Sequence, residues 1–176
     1  PLVLDAVNIE QVVRSAYREI KRRHAQHIVR LRVEKNLPPV WGDSLRLKQI
    51  LDNLAGNAAK YSPEGTRIRI NVRRSGTLIA ISVRDEGIGI PPALQATMFD
   101  LFVQGDRTLD RSQGGLGIGL SLVRQLVGMH GGRVSAHSEG SGHGARIELR
   151  LPLLGDDVNG DAPQAPARMR SRRILV

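Results

Sequence analysis

The chain has 176 residues, of which 40% are hydrophobic, and it contains no cysteine. The length fits one compact domain with a short tail, and the lack of cysteine excludes disulfides, thiolate metal ligands and a thiol nucleophile. The formal net charge of +9 invites a nucleic-acid partner, but one Trp, two Tyr and two Phe are too few to build base-stacking surfaces.

Hydrophobic periodicity predicts ten elements along the chain. A short strand near residues 2–4 precedes a helix near 9–24 and a strand near 28–34. A second helix near 44–60 leads to strands near 67–73 and 78–84, and a short helix follows Pro91 and Pro92. The last elements are a helix near 116–130 and strands near 132–138 and 144–151.

The long strands alternate between apolar and polar residues. Their outward positions carry charged side chains: Arg30, Arg32, Arg67, Arg69, Arg73, Arg146, Glu148 and Arg150. Alternation indicates a sheet covered on one face, whereas a doubly wound fold would show solid apolar strands. The sequence therefore predicts a two-layer α/β sandwich. Its open face would hold most of the positive charge, and we expect no nucleic-acid partner.

The composition changes after Leu154 to GDDVNGDAPQAPAR, which is rich in Gly, Pro, Asp and Ala and has no periodicity. Such a composition is typical of a flexible linker. We therefore expect a folded domain over residues 1–154 and a linker over 155–170. The first residues, PLVLDAVNIE, include no initiating Met and no signal-peptide pattern, so we interpret the chain as a fragment.

The helix near 44–60 carries three polar residues beside its apolar stripe. Asn53, Asn57 and Lys60 stand at i, i+4 and i+7, which places them along one edge of the helix. Amide oxygens suit a hard cation such as Mg²⁺, and a lysine suits a phosphate. The alternative is that these side chains are solvated or cap a neighbouring loop.

The strand near 78–84 runs into RDEGIGIPP. Asp85 at the strand end could accept a hydrogen bond from an exocyclic amine. Gly87 and Gly89 permit positive φ and close backbone approach to a flat ligand such as adenine. The alternative is an ordinary glycine turn.

The segment GGLGIGL opens the helix near 116–130. Glycines at 114, 115, 117 and 119 leave free amide groups at the helix start, which is a common setting for phosphate binding. The polar stretch before them, FVQGDRTLDRSQ, is typical of a mobile lid. Gln104, Arg107 and Arg111 could reach phosphate oxygens when such a lid closes.

The order of these motifs resembles the histidine-kinase catalytic domain of the GHKL superfamily, over residues 1 to about 153. DNLAGNAAKYSPEG looks like the N box, DEGIGI the first glycine box, MFDLF the F box and GGLGIGL the second glycine box. The resemblance implies the Bergerat ATP-binding fold, a mixed and mostly antiparallel sheet with helices on one face. It also implies ATP and Mg²⁺ as ligands.

The resemblance assigns roles residue by residue. It implies that Asn57 ligates Mg²⁺ with help from Asn53, that Lys60 contacts phosphates, and that these three residues form the catalytic set. Asp85 would read the adenine amino group, Tyr61 would pack on the nucleoside, and Phe99 and Phe102 would anchor the lid. The remaining residues implied to bind nucleotide are Gly87, Gly89, Arg107, Gly115, Leu116, Gly117, Gly119 and Leu120.

Two other functions fit the same motifs. ATP-hydrolysing relatives place a Glu, the general base for water, four residues before the metal-binding Asn. Asn53 occupies that position here, and an amide cannot take a proton from water, so the sequence favours phosphoryl transfer over hydrolysis. A module that binds nucleotide without catalysis is the third possibility, although Asn57, Asp85 and the glycines are all present.

The five histidines lack the setting of a phosphoacceptor, which the family places on a helix before an acidic residue and a Pro: His24, His27, His130, His137 and His143. We expect the acceptor on dimerisation and histidine-phosphotransfer helices of the parent, and this piece to be monomeric and cytoplasmic, with the parent free to be anchored in the inner membrane. The partner would be a response regulator receiver domain. Residues 171–176, SRRILV, resemble the first strand of such a domain, as in a hybrid kinase; the alternative is that so short an apolar end has no structural meaning.

One position departs from the family pattern. Related domains often carry Ser or Thr near Ala145, so a hydroxyl contact to adenine from that strand is not expected here.

Overall fold

The computed structural model describes residues 2–100 and 119–154. Its elements, in chain order, are β1 (Asp5–Val7), α1 (Ile9–Arg23), β2 (Ile28–Val33), β3 (Val40–Gly42), α2 (Ser44–Lys60), β4 (Arg67–Ser75), β5 (Leu78–Arg84), α3 (Pro92–Gln95), α4 (Gly119–Met129), β6 (Arg133–His137) and β7 (Arg146–Pro152). None of the helices within these ranges is both long and apolar enough to cross a bilayer.

Five strands form the main sheet in the order β2-β4-β5-β7-β6. β2 runs parallel to β4, and the other three neighbouring pairs are antiparallel. β1 and β3 form a separate two-stranded antiparallel pair. The mixed, mostly antiparallel sheet with helices confirms the predicted fold class.

One face of the sheet packs against α1, α2 and α4. α2 lies in the middle of this layer, where it contacts both other helices and the strands β4 and β5. Its residues Ile50, Leu51 and Leu54 are buried together with Ile70 and Ile81 of the sheet. Because all five strands alternate, this single layer of helices is enough to bury the apolar face.

The opposite face is open and carries the arginines, as predicted. Glu148 differs from its neighbours because it is buried, although it was expected among the exposed charges. Its carboxylate lies 2.9 Å from a guanidinium nitrogen of Arg150 and 3.8 Å from one of Arg73. The two longer arginine side chains cover a shorter acidic one in the middle of the sheet.

The predicted strand at residues 2–4 is wrong. Residues 2–4 are irregular, Val3 is exposed, and the strand is Asp5–Val7. The reason is its partner β3, a three-residue strand that the sequence pattern did not reveal. Val7 at the end of β1 is buried in the core, whereas Val3, in the predicted strand, is exposed.

Side-chain caps fix where the two long helices begin. The Asn8 side chain accepts a hydrogen bond from the Gln11 amide, and the Asp43 carboxylate accepts from the amides of Leu45 and Arg46. These bonds satisfy amides that have no partner in the first helical turn. The position of Asp43 therefore determines where α2, the helix with the polar edge, starts.

His130 connects the end of α4 to this cap. The Asp43 amide donates to Nε2 of His130 at 3.0 Å, so Nδ1 carries the proton and donates to the Leu126 carbonyl oxygen at 2.7 Å. The ring is buried, and Gly42 leaves the space that it occupies. The two helices are thus held together at the end opposite the glycine motif.

We expect His130→Ala to lower the free energy of unfolding by about 2–4 kcal/mol, because it leaves a buried amide without an acceptor and opens a cavity. Urea denaturation followed by circular dichroism measures the change. The control is His137→Ala on the exposed face of β6, which should alter stability by less than about 0.5 kcal/mol. Equal stability of the two variants would contradict a structural role for His130.

Candidate nucleotide-binding site

The polar edge of α2 faces two other parts of the fold. Nδ2 of Asn53 donates to the Gln49 carbonyl oxygen at 3.0 Å, which fixes the amide and leaves Oδ1 as its acceptor. A Cβ built on Gly119 would lie 3.4 Å from that Oδ1, so Asn53 lies beside the first described residue of α4. The side chain of Asn57 is half-buried and makes no hydrogen bond to another described residue.

The C-terminal end of α2 carries a basic and an aromatic side chain. Nζ of Lys60 lies 5.2 Å from the centroid of the Tyr61 ring, and both side chains are exposed. The Tyr61 carbonyl oxygen accepts a hydrogen bond from the Ile88 amide at 3.0 Å. That bond joins the end of α2 to the loop that follows β5.

The loop after β5 holds the Asp85 carboxylate in a fixed orientation. Oδ1 accepts from the Gly87 amide at 2.9 Å and from the Ala145 amide at 3.1 Å. Oδ2 accepts no hydrogen bond from any other described residue. Burial raises the pKa of Asp85 above its usual value, although the two amide donors and Arg84 act in the opposite direction. The site therefore presents one free acceptor oxygen at the end of a rigid strand.

The two predicted glycines are required at this loop for different reasons. A Cβ on Gly87 would lie 2.3 Å from the Tyr61 carbonyl oxygen, so no larger residue fits there. Gly89 has φ of 76°, and a Cβ there would lie 2.0 Å from the Gly140 carbonyl oxygen. The motif thus depends on close backbone packing as well as on backbone conformation.

A second loop, between β6 and β7, supports the Asp85 loop. Oγ of Ser138 donates to the Gly144 carbonyl oxygen at 2.7 Å and accepts from the Ile90 amide at 3.0 Å. Nε2 of Gln95 donates to the carbonyl oxygens of Ile90 and Ser138. The glycine-rich sequence SEGSGHGA signals a turn but not these partners, so Ser138 and Gln95 were missed from sequence.

Ala145 contributes to this site through its backbone. Its amide donates to Asp85, and its carbonyl oxygen accepts from the Asp85 amide at 2.9 Å. The missing hydroxyl at this position therefore leaves the orientation of Asp85 unchanged. A different hydroxyl, that of Ser62, is buried beside Gly87 and has no hydrogen-bond partner among the described residues.

The remaining predicted residues divide between described and undescribed parts of the chain. Phe99 is buried in the core, and Gly119 and Leu120 begin the described part of α4. Asp100, in the middle of the F box, forms an exposed ion pair with Arg124 at 2.6 Å. The others lie outside the described residues: Phe102, Gln104, Arg107, Arg111, Gly115, Leu116 and Gly117.

The donor set fits a magnesium ion that is held partly by substrate. Within residues 2–100 and 119–154, no group of three acidic, His or Cys side chains could hold a metal. Magnesium commonly takes one or two protein oxygens together with waters and substrate phosphates. The oriented Oδ1 of Asn53 and the unpaired side chain of Asn57 match that pattern.

Comparison with known proteins identifies the family of this chain. Residues 42–155 match the family described as histidine kinase-, DNA gyrase B-, and HSP90-like ATPase. The sensor-like histidine kinase SenX3 of Mycobacterium tuberculosis is 36% identical over 172 residues, covering 95% of this chain and 42% of the relative. The alginate biosynthesis sensor protein KinB of Pseudomonas aeruginosa is 34% identical over 146 residues, covering 82% and 24%. The chain thus spans less than half the length of these relatives.

Solved structures of histidine kinases also superpose on this chain. Full-length ShkA in complex with AMPPNP superposes with a TM-score of 0.75 at 31% identity, covering 87% of this chain and 32% of that one. The mycobacterial sensor histidine kinase MprB superposes with a TM-score of 0.73 at 28% identity, covering 86% and 98%. The chain therefore belongs to the histidine kinase-, DNA gyrase B-, and HSP90-like ATPase family, and the similar proteins named above include sensor histidine kinases.

Proposed function

We propose that this chain binds Mg·ATP and presents its γ-phosphoryl group to a histidine on a separate dimerisation helix domain of the same parent protein. The observation that carries the proposal is the arrangement around α2. The Asp85 loop, with its one free carboxylate oxygen, adjoins the C-terminal end of α2, and Asn53 adjoins the start of α4. A nucleotide lying along α2 would place its base and its phosphates at these two points.

Each side chain would then have a physical task. Oδ2 of Asp85 accepts a hydrogen bond from the adenine amino group, and the exposed ring of Tyr61 packs on the nucleoside. Lys60 is free of ion pairs to other described residues and balances phosphate charge. Asn53 and Asn57 would hold Mg²⁺, which supplies electrostatic stabilisation of the transferred phosphoryl group when it is bound.

The side chain at position 53 favours transfer of the phosphoryl group to a protein over hydrolysis of ATP. Asn53 has no proton-accepting group of useful basicity, and its Nδ2 is already engaged with Gln49. Nothing at that position would activate a water molecule. Hydrolysis of ATP is thus the weaker alternative. It predicts rapid release of phosphate by the chain alone.

The proposed partners follow from the relatives. Sensor kinases act in two-component systems, so we propose dimerisation helices of the parent and a response regulator receiver domain as partners. The proposed linker at 155–170 and the proposed receiver strand at 171–176 lie outside the described residues. The catalytic piece itself would work as a cytoplasmic monomer.

We expect Asp85→Asn to weaken ATP binding by about 10-fold or more and to reduce the preference for ATP over GTP. The amide can still accept at Oδ1, but its NH₂ group would face the adenine amine, so a donor would meet a donor. Isothermal titration calorimetry with both nucleotides measures the change. Asp5→Asn on β1 is the matched control, and equal affinity of the unmodified chain for ATP and GTP would contradict the role of Asp85.

The same variant makes a distinguishable stability prediction. Because burial raises the pKa of Asp85 in the folded state, the unfolded chain binds fewer protons just above the usual pKa, and stability falls as pH rises through that interval. Asp85→Asn removes this loss, so its free energy of unfolding at pH 7 should equal or exceed that of the unmodified chain. Lost binding together with lost stability would indicate misfolding instead.

A further inference from the structure

The open face of the sheet carries a row of basic residues in register. Arg30 lies opposite Arg69, Arg69 opposite Arg84, and Arg84 opposite Arg146, with His137 at the end of the row. Like charges directly opposite each other on neighbouring strands are destabilising. This alignment of arginines destabilises the sheet unless negative charge lies close to it.

Acidic residues of the described chain compensate part of this face. Glu86 lies 2.7 Å from a guanidinium nitrogen of Arg69 and 3.9 Å from one of Arg67. Arg30 and Arg32 on β2 are exposed, and no carboxylate of the described residues lies within 4.0 Å of their guanidinium groups. Positive charge without a close acidic partner among the described residues therefore lies at the β2 side of the sheet, and farther along the row at Arg84 and Arg146.

An open cavity of about 400 Å³, a shallow depression in the surface of the sheet, lies at this place. Its lining comes from the neighbouring strands β2 and β4: Arg30, Leu31, Arg32, Arg67, Arg69 and Asn71. Because Val29, Ile68 and Ile70 point into the core from the same strands, the arginines face away from the helices and from the candidate nucleotide site. Four arginines thus line an open space on the face of the sheet that the nucleotide does not use.

Charged residues on an edge strand have a simpler purpose, since they prevent edge-to-edge pairing with other chains. Arg30 and Arg32 alone would serve that purpose, because β2 is the edge strand. Protection against edge-to-edge pairing does not account for Arg67 and Arg69, which lie on the interior strand β4 and line the same cavity.

We propose that this cavity binds a small soluble anion bearing two or more phosphate groups. Guanidinium groups bind phosphate oxygens in bidentate pairs, and Asn71 adds an amide donor. Neighbouring strands are spaced at about 4.8 Å and alternate residues along a strand at about 6.6 Å, so several linked phosphates can each meet an arginine. No aromatic side chain lines the cavity, so a nucleobase would gain little there.

The test is calorimetric titration of the whole chain with sodium tripolyphosphate, in EDTA to suppress metal-dependent binding at the nucleotide site. We expect saturable binding that the double variant Arg30→Ser, Arg32→Ser weakens at least 10-fold. The matched control is Arg18→Ser, Arg22→Ser on α1, which removes the same charge from exposed positions and should weaken binding less than 2-fold. Absence of binding, or equal weakening by both double variants, would overturn the proposal.

Two further measurements sharpen the result. Glu86→Gln should strengthen tripolyphosphate binding several-fold, because it removes the carboxylate that competes for Arg67 and Arg69; unchanged or weaker binding would contradict the site. Vesicles of phosphatidylglycerol should not compete with tripolyphosphate. Binding to vesicles without binding to tripolyphosphate would replace the soluble ligand by a membrane surface.

Discussion

Asn57→Ala should abolish Mg²⁺-dependent ATP binding, with a loss of affinity of about 100-fold or more. The amide of Asn57 is half-buried and has no partner among the described residues, so its oxygen is available to a ligand. A magnesium ion with few protein ligands loses much of its protein coordination when one is removed. Alanine also suits the interior of a helix, so α2 should remain intact.

Calorimetric titration with ATP in the presence and absence of Mg²⁺ measures this effect. Gln11→Ala on the exposed side of α1 is the control for loss of an amide elsewhere, and it should leave affinity unchanged. Circular dichroism should show the same unfolding transition for Asn57→Ala and for the unmodified chain. Undiminished affinity in Asn57→Ala would remove this residue from the proposed metal site.

The chain alone should bind Mg·ATP but neither hydrolyse it quickly nor label itself. Position 53 holds an amide in place of a general base, and none of the five histidines has the setting of an acceptor. The structure adds a reason for two of them, since His27 and His130 are buried. A buried imidazole is not free to approach a phosphate bound beside Asn53.

Addition of the histidine-bearing helices of the parent should restore transfer. Phosphoryl transfer depends on holding the γ-phosphate in line with its acceptor, and such positioning can be worth about 7–11 kcal/mol. A tethered helical domain should therefore be phosphorylated far faster than a free one. The measurement is incorporation of label from γ-³²P-ATP into each domain.

Two results would contradict this account. Rapid release of phosphate by the chain alone would place it among the ATP-hydrolysing members of its family. Stoichiometric acid-labile label on one of its own histidines would show that the acceptor lies within this chain.

Much of the fold was predictable because its long elements have strong periodicity. The strands β2, β4, β5 and β7 alternate regularly, and α1 and α2 begin at side-chain caps that are visible in the sequence. β1 and β3 were misplaced or missed for the opposite reason. Each has three residues, and their pairing depends on contacts between distant parts of the chain.

The candidate site divides in the same way. Asn53, Asn57 and Asp85 were singled out by their spacing and by the glycines after Asp85, and the resemblance to the family supplied their roles, which stay predictions. Ser138 and Gln95 were missed because they act on backbone groups of another loop, and no spacing in the sequence reports such contacts. The burial of Glu148 was missed because it depends on arginines from two strands covering one carboxylate.

The pairing of β2 with β4 also has a consequence for the order of folding. β4 and β5 are joined by a tight turn at Gly76 and Thr77, so their contacts are local and form at little entropic cost. β2 reaches the sheet only after residues 34–66 have closed a long loop that contains β3 and α2. Because long loops close late, the β4–β5 hairpin should form first and the arginine-rich edge should join it afterwards. Within the main sheet β2 is held by β4 alone, so an anion bound between these two strands should stabilise the attachment of this edge.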